Sequence, residues 1–410
     1  MTASMAAQSK RLWVLRAPGE MTGYDAETFA SKQTVKVPGE AVRSPQSLSV
    51  NRVGQMLFVP TVSLPLDEDD VRSAPKISFW DGHQAFMLNR DLKRATGTTG
   101  SNLSINESAP TPYLSADGGH LYWFANQARR LQRDGVDLST TNTWLAWQTD
   151  LTGAGRQELT SLTLPECSCP TGSCEETCSY GEVGTPEEGV GKFFLMTEFV
   201  AGKDQPSYKS TSLYQENAGK WTATELDPPL RRVLDAANVN TILEAIPDTA
   251  CCGWANQSDD QTLLHLQNKT VSVFDERSEY RNPDYDVSFY TANGKLSPDL
   301  DAVALTIVAT SEANKPIQLS EQGQGDPEES ERLRKSLLEL PAVQVMSLDV
   351  KGAEQPRRID FLPHATLVGW LTGKEVLIVE DHLLVTYNLA TKTRRKTNIK
   401  VEDAAHAFLR

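Results

Sequence analysis

The chain has 410 residues, of which 39% are hydrophobic and 23% charged, with 26 Gly and 22 Pro. That balance describes a folded, turn-rich protein and excludes a disordered chain, and no run approaches the roughly 18 apolar residues that a membrane span needs. A formal net charge of −14 argues against a nucleic-acid partner, because phosphate binding needs clustered Lys and Arg, and the one basic run, KTRRK at 392–396, reads as a solvated strand edge.

The first residues, MTASMAAQSKRLWVL, lack the apolar stretch of a secretory signal. Read literally this start suits the cytosol. A small-residue leader suits equally a chain from which a signal has been removed. An extracytoplasmic or periplasmic location is the expectation carried forward, favoured over a cytoplasmic one.

Along the chain one unit recurs: an apolar strand, a second alternating strand ending in an acidic or amide residue, a turn, then a polar strand. The strand ends are Tyr24-Asp25, Trp80-Asp81, Thr149-Asp150, Gln215-Glu216, Phe274-Asp275, Leu348-Asp349 and Tyr387-Asn388. Ahead of them lie LWVL (12–15), MLFV (56–59), LYWF (121–124), FFLM (193–196), LLHL (263–266), VALTIV (303–308) and VLIV (376–379), near-continuous apolar runs expected of strands buried on both faces. Residues 250–276 also align with 366–390, setting Gly253-Trp254 on Gly369-Trp370.

Seven such units, each offering about four short strands, resemble a seven-bladed β-propeller of the broad YVTN, TolB-like and WD40-like kind. The resemblance implies an all-β fold, a single domain over 1–410 of four-stranded antiparallel blades, and it is nearly silent on function because propellers host unrelated activities. The expected blades are 11–38 with 402–410, 44–90, 111–160, 188–226, 249–290, 294–361 and 366–400. The first unit lacks room for an innermost strand before LWVL, so the C-terminal segment 402–410 is expected to supply it and close the sheet edge.

Strand parity in such blades sends second-to-third loops and blade-to-blade connections to one face. The long segments 60–76, 91–110, 124–142, 161–187, 199–210, 227–248 and 309–341 therefore share that face, and tight turns such as SADGGH (115–120) and LTGAGR (151–156) occupy the other. Long loops tend to carry function, so a binding surface is expected on blades 2–5. One or two short helices are expected in insertions. In GDPEESERLRKSLLEL (325–340), Asp326 is the N-cap, Pro327 the first helical residue, and Leu333, Leu337 and Leu340 share a face; 228–246 reads as a second helix.

Four of the six cysteines, Cys167, Cys169, Cys174 and Cys178, fall within CSCPTGSCEETC. Two local disulfides, a four-thiolate zinc site, an iron–sulfur cluster and free thiols all remain open, although the spacing lacks paired C-x2-C knuckles and fits neither common ferredoxin pattern. Cys251 and Cys252 read as small buried residues on the innermost strand of blade 5. The six histidines show no metal-ligand spacing, and there is no phosphate-binding glycine loop or nucleophile elbow. Candidate binding-face residues are Asp67, Asp69, Arg129, Arg130, Arg133, Glu175 and Glu176. The expectation is a binding or scaffold protein with no catalytic residues and no cofactor, recognising a protein or another ligand through this face. The alternatives are an enzyme with its site at the mouth of a central channel, or a metal- or cluster-bearing subunit of a redox assembly using the four clustered cysteines.

Overall fold

The computed structural model describes residues 10–51, 53–60, 76–88, 96–97, 103–107, 110–115, 118–134, 136–163, 166–169, 180–184, 193–201, 206–217, 220–226, 230, 232–238, 240–246, 261–266, 269–273, 289–309, 320–324, 326–337, 339–348 and 356–410. The chain divides into two compact units, one holding residues 1–16, 21–35 and 231–409, the other 17–20, 36–230 and 410.

The fold is of the all-β propeller type. Six sheets are four-stranded and antiparallel; a further sheet, formed by strands within 96–168, has seven strands, so the expectation of uniform four-stranded blades is corrected there. In the first unit, successive sheets pack face to face. Leu243 and Leu264 of the 232–272 sheet meet Val303 and Leu305 of the 289–363 sheet. Val343 and Leu362 of that sheet meet Trp370 and Ile378 of the 366–400 sheet, and Leu377 and Leu384 there meet Leu12, Val14 and Leu409. In the second unit Leu57 and Phe79 pack on Leu121, Trp123 and Trp147.

The sequence pattern explains the layering. Second and third strands such as Glu375–Glu380 (EVLIVE) and Leu383–Asn388 (LLVTYN) bury their four central side chains, since a strand between two neighbouring blades has no solvent face. The fourth strands Ser31–Lys36 and Thr393–Lys400 are polar and mostly exposed, while Ala85–Leu88 (AFML) is an apolar exception. The recurring acidic or amide residue stands at the third-to-fourth turn and acts as a local acceptor. Asp25 Oδ1 takes the backbone N–H of Thr28 at 2.9 Å, Asp81 that of Gln84 at 2.8 Å, Asp150 that of Ala154 at 2.9 Å, and Asn388 that of Thr391 at 3.0 Å. Side chains that bond two to four residues ahead build such turns.

The C-terminal strand Ala407–Leu409 pairs antiparallel with Arg11–Arg16, Leu12 opposite Leu409 and Trp13 opposite Phe408. Gly23, on the next strand, is required by this packing: a Cβ there would stand 2.9 Å from the ring of Trp13, which is fully buried. The N-cap reading of Asp326 also holds, with the helix spanning Pro327–Leu337 and Glu328 N–H donating to Asp326 Oδ1 at 2.9 Å.

Two expectations fail in the 232–272 sheet. The segment 228–246 is no helix; Arg232–Asn238 and Thr241–Ile246 form an antiparallel pair and supply the first two strands. LLHL therefore lies on the third strand, Gln261–Leu266, whereas VLIV lies on the second strand of its own sheet, Glu375–Glu380, so the alignment of 250–276 with 366–390 is displaced by one strand. Burial decided this: Thr241 through Ala245 are buried consecutively, as between two packed sheets, whereas a surface helix would bury only one stripe. Cys251 and Cys252 lie outside the described residues.

Candidate binding surface

The seven-stranded sheet is the exceptional element. Its base consists of Thr111–Leu114, the lower parts of the long strands Leu121–Arg133 and Val136–Thr149, and Gln157–Thr163. The base is an aromatic core: Trp123 and Trp147 stack with centroids 6.2 Å apart, Trp123 Nε1 donates to Thr149 Oγ1 at 2.9 Å, and Tyr113 meets Phe124 edge-on at 5.3 Å.

The two long strands do not stop at the end of that core. They remain paired to Arg133 opposite Val136, where Asp134 takes a positive φ of 53°. The two residues between these partners are Asp134 and Gly135, the dipeptide favoured in tight hairpins. Leu103–Glu107 adds along one side, pairing Gln127 to Leu131, and Thr96–Gly97 adds beyond it. Cys167–Ser168 adds along the other side, opposite Thr140 and Ser139. Three segments expected as separate long loops, 91–110, 124–142 and 161–187, thus contribute strands to one extension of a single sheet, and 124–142 is hairpin rather than loop.

The extension has a wired side and an apolar tip. Asp137 is buried at 8% exposure; it accepts a 2.7 Å bond from Gln132 Nε2 and faces Arg130 Nη1 at 3.7 Å. Ser139 Oγ donates to Glu166 Oε1 at 2.5 Å, and the backbone N–H of Cys169 donates to Leu138 O at 2.8 Å, tying the start of the cysteine segment to the hairpin. Cys169 itself is buried. At the tip, Leu131, Val136 and Leu138 are 41%, 46% and 39% exposed, whereas Trp123 and Trp147 at the base are below 7%. Cross-strand partners share a face, so Arg129, Leu131, Arg133 and Val136 line the same side. Leu138 is the extra residue of a bulge, where pairing steps from Ser139 to Asp137.

Of the candidate residues, Arg129, Arg130 and Arg133 come together on this hairpin; Arg129 also bonds Gln127 Oε1 at 3.2 and 3.3 Å. Cys167 is on its edge strand and Cys169 follows it. Asp67, Asp69, Glu175, Glu176, Cys174 and Cys178 lie outside the described residues. The three exposed apolar residues were missed because a hairpin tip reads as loop unless its turn dipeptide is weighted. Among the described residues no group of three or more His, Cys, Asp or Glu could hold a metal ion, and no helix is long and apolar enough to cross a membrane.

Neither a protein family nor a curated protein matches this sequence. Solved structures do resemble it. A Lactobacillus plantarum protein is 11% identical with a TM-score of 0.47, covering 98% of this chain and 99% of its own. A periplasmic gluconolactonase of Pseudomonas aeruginosa is 11% identical with a TM-score of 0.42, with 98% of each chain covered. An acylaminoacyl peptidase of Pyrococcus horikoshii is 10% identical with a TM-score of 0.42; this chain is 93% covered and spans about half, 48%, of the peptidase. At such identities the likeness is one of fold alone.

Other titratable groups are paired within and between sheets. His265 Nε2 lies 2.6 Å from Glu244 Oε2 across neighbouring strands, the carboxylate being 2% exposed. Tyr387 donates to Asp360 on the adjacent sheet, and Lys392 Nζ adds a 2.9 Å ion pair to the same carboxylate. Burial, reinforced by the hydrogen bond to Asp360, pushes the Tyr387 phenol up to about 12. Burial pushes Asp360 the other way from its net shift; bonds from Tyr387, Lys392 and the Phe361 N–H outweigh it and hold the carboxyl below its ordinary value.

Proposed function

We propose that this chain is a non-catalytic binding protein, a single seven-bladed propeller whose third blade, 111–160, presents the extension to a protein partner. In this reading Thr111–Leu114, the lower parts of the two long strands and Gln157–Thr163 are the four blade strands, and the remaining strands are elaboration. One observation carries the proposal: Leu131, Val136 and Leu138, 39–46% exposed, stand at the end of a hairpin stiffened by part-buried bonds to Asp137 and Glu166. A rigid apolar tip rimmed by arginines suits the centre of a protein interface, where apolar residues and Arg are enriched.

The cysteines fit this role as two local disulfides among Cys167, Cys169, Cys174 and Cys178, holding the segment that leaves the extension. That chemistry requires an oxidising compartment outside the cytoplasm. The test is partner capture by the full chain against L131D/V136D/L138D, with far-UV circular dichroism confirming the fold. Loss of a captured protein in the variant, by tenfold or more, supports the reading; capture that ignores the substitutions overturns it. Alkylation before and after reduction, read by mass, checks the cysteines: four thiols alkylated without reduction would remove the disulfides.

A further inference from the structure

The chain carries a net charge of −14, yet its basic residues are not spread evenly. The outermost strand Thr393–Lys400 (TRRKTNIK) holds Arg394, Arg395, Lys396 and Lys400 and no acid; its neighbour on the adjacent sheet, Arg357–Pro363, begins with exposed Arg357 and Arg358. Lys392, the residue before Thr393–Lys400, joins the two sheets by reaching Asp360 Oδ2 at 2.9 Å and Ile359 O at 3.3 Å. Edge strands are commonly blunted by charge to prevent aggregation. Blunting does not explain the clustering, because the outer strands Ala85–Leu88, Gln157–Thr163, Lys220–Leu226 and Lys269–Ser272 each carry no more than one basic residue and Ser31–Lys36 carries two, against four on Thr393–Lys400.

The basic groups are also held. The Arg395 guanidinium sits 5.3 Å over the Phe29 ring, and Arg394 sits 5.6 Å over Tyr387 with Nε 3.0 Å from Glu380. Among the described residues no carboxylate pairs with Arg395, Lys396 or Lys400. Ile359, 40% exposed, adds an apolar spot between the flanking arginines and Asp360.

We infer that this edge binds an extended acidic peptide segment of another protein, added as a fifth strand beside Thr393–Lys400. An edge strand offers alternate N–H and C=O groups to such a segment, and cross-strand side chains stand about 5 Å apart, so carboxylates on the incoming strand would meet Arg394 and Lys396 on one face and Arg395 on the other. The acidic whole decides against a polyanionic surface. A membrane or a duplex extends beyond the roughly 8 Å screening length and would meet the rest of a chain of charge −14, whereas a short peptide engages the patch alone. This surface is independent of the extension of the third blade.

The probe is a fluorescein-labelled, end-capped decapeptide of repeating Glu-Glu-Thr, which puts carboxylates on both faces of a strand, titrated with the full chain by anisotropy at 50 and 200 mM salt. Wild type is expected to bind, more tightly at low salt, and to ignore the peptide with Gln in place of Glu. R395Q/K396Q/K400Q and, separately, R357Q/R358Q should each weaken binding about tenfold or more. R129Q/R133Q, on the third-blade hairpin, should bind as wild type. Equal binding by the triple variant, no binding by wild type, or tighter binding of phosphatidylserine vesicles or a DNA duplex than of the peptide would overturn the assignment.

Discussion

Removing the last strand should be the most damaging small deletion in the chain. Ala407–Leu409 is the end strand of the first sheet, paired with Arg11–Arg16, and Ala407, Phe408 and Leu409 are 8%, 9% and 7% exposed. Burying Phe408 and Leu409 is worth about 1.5–3 kcal/mol each, and the ladder to Arg11–Arg16 adds about 1 kcal/mol per hydrogen bond. The sum is about 5 kcal/mol or more, against about 5–15 kcal/mol for a whole domain. Because the truncated chain could fail to fold, Leu409→Ala is the graded variant, with an expected cost of about 2–5 kcal/mol. The assay is urea unfolding followed by circular dichroism, together with hydrogen exchange of residues 11–16. Those amides should lose protection earlier than those of 375–388. A truncated chain with unchanged midpoint and unchanged exchange at 11–16 would refute the reasoning that the two termini share one sheet.

Gly23→Ala forces a methyl against the Trp13 ring, at 2.9 Å, and should cost about 1–3 kcal/mol by urea midpoint; a neutral effect would mean that the ring shifts freely. Tyr387 should titrate near 12, later than an ordinary tyrosine, and Asp360→Asn should bring it down in an ultraviolet titration. Because its folded value lies above the unfolded one, the stabilisation is complete below pH 10 and disappears as pH rises towards 12. The turn carboxylates have the opposite sign: hydrogen bonds lower Asp81 and Asp150 below 3.8, so their contribution is present above that value and lost as acid titrates them. Asp150→Asn, which keeps an acceptor, should lower the melting temperature less than Asp150→Ala. Under the proposed function, Arg129→Glu with Arg133→Glu should slow association of a protein captured by the 121–149 hairpin several-fold at low salt and little at high salt, read by surface plasmon resonance.

The fold was legible where each residue's environment is dictated by its own strand. LWVL, VLIV and VALTIV announce burial on both faces, TRRKTNIK announces an outer strand, and Asp25, Asp81, Asp150 and Asn388 announce turns, because an Asx side chain builds its turn locally. The 232–272 sheet was misread because LLHL is as apolar as a second strand while lying third; only its pairing with Thr241–Ile246 distinguishes the two. The candidate surface was half legible. Arg129, Arg130 and Arg133 stood out by charge, but Leu131, Val136 and Leu138 become a patch only when Asp134 turns the chain and the register sets Arg133 against Val136.

By itself the sequence determined the strand rhythm, the polar outer strands and the need for a C-terminal partner at Arg11–Arg16, all properties of local pattern and chain length. Tertiary structure alone decided that strands from 96–107, 124–142 and 167–168 join one sheet, and that Lys392, just before Thr393–Lys400, reaches Asp360 of Arg357–Pro363 on the adjacent sheet. Residues far apart in the chain are brought together by backbone pairing and inter-sheet packing, and neither leaves a mark on any single segment.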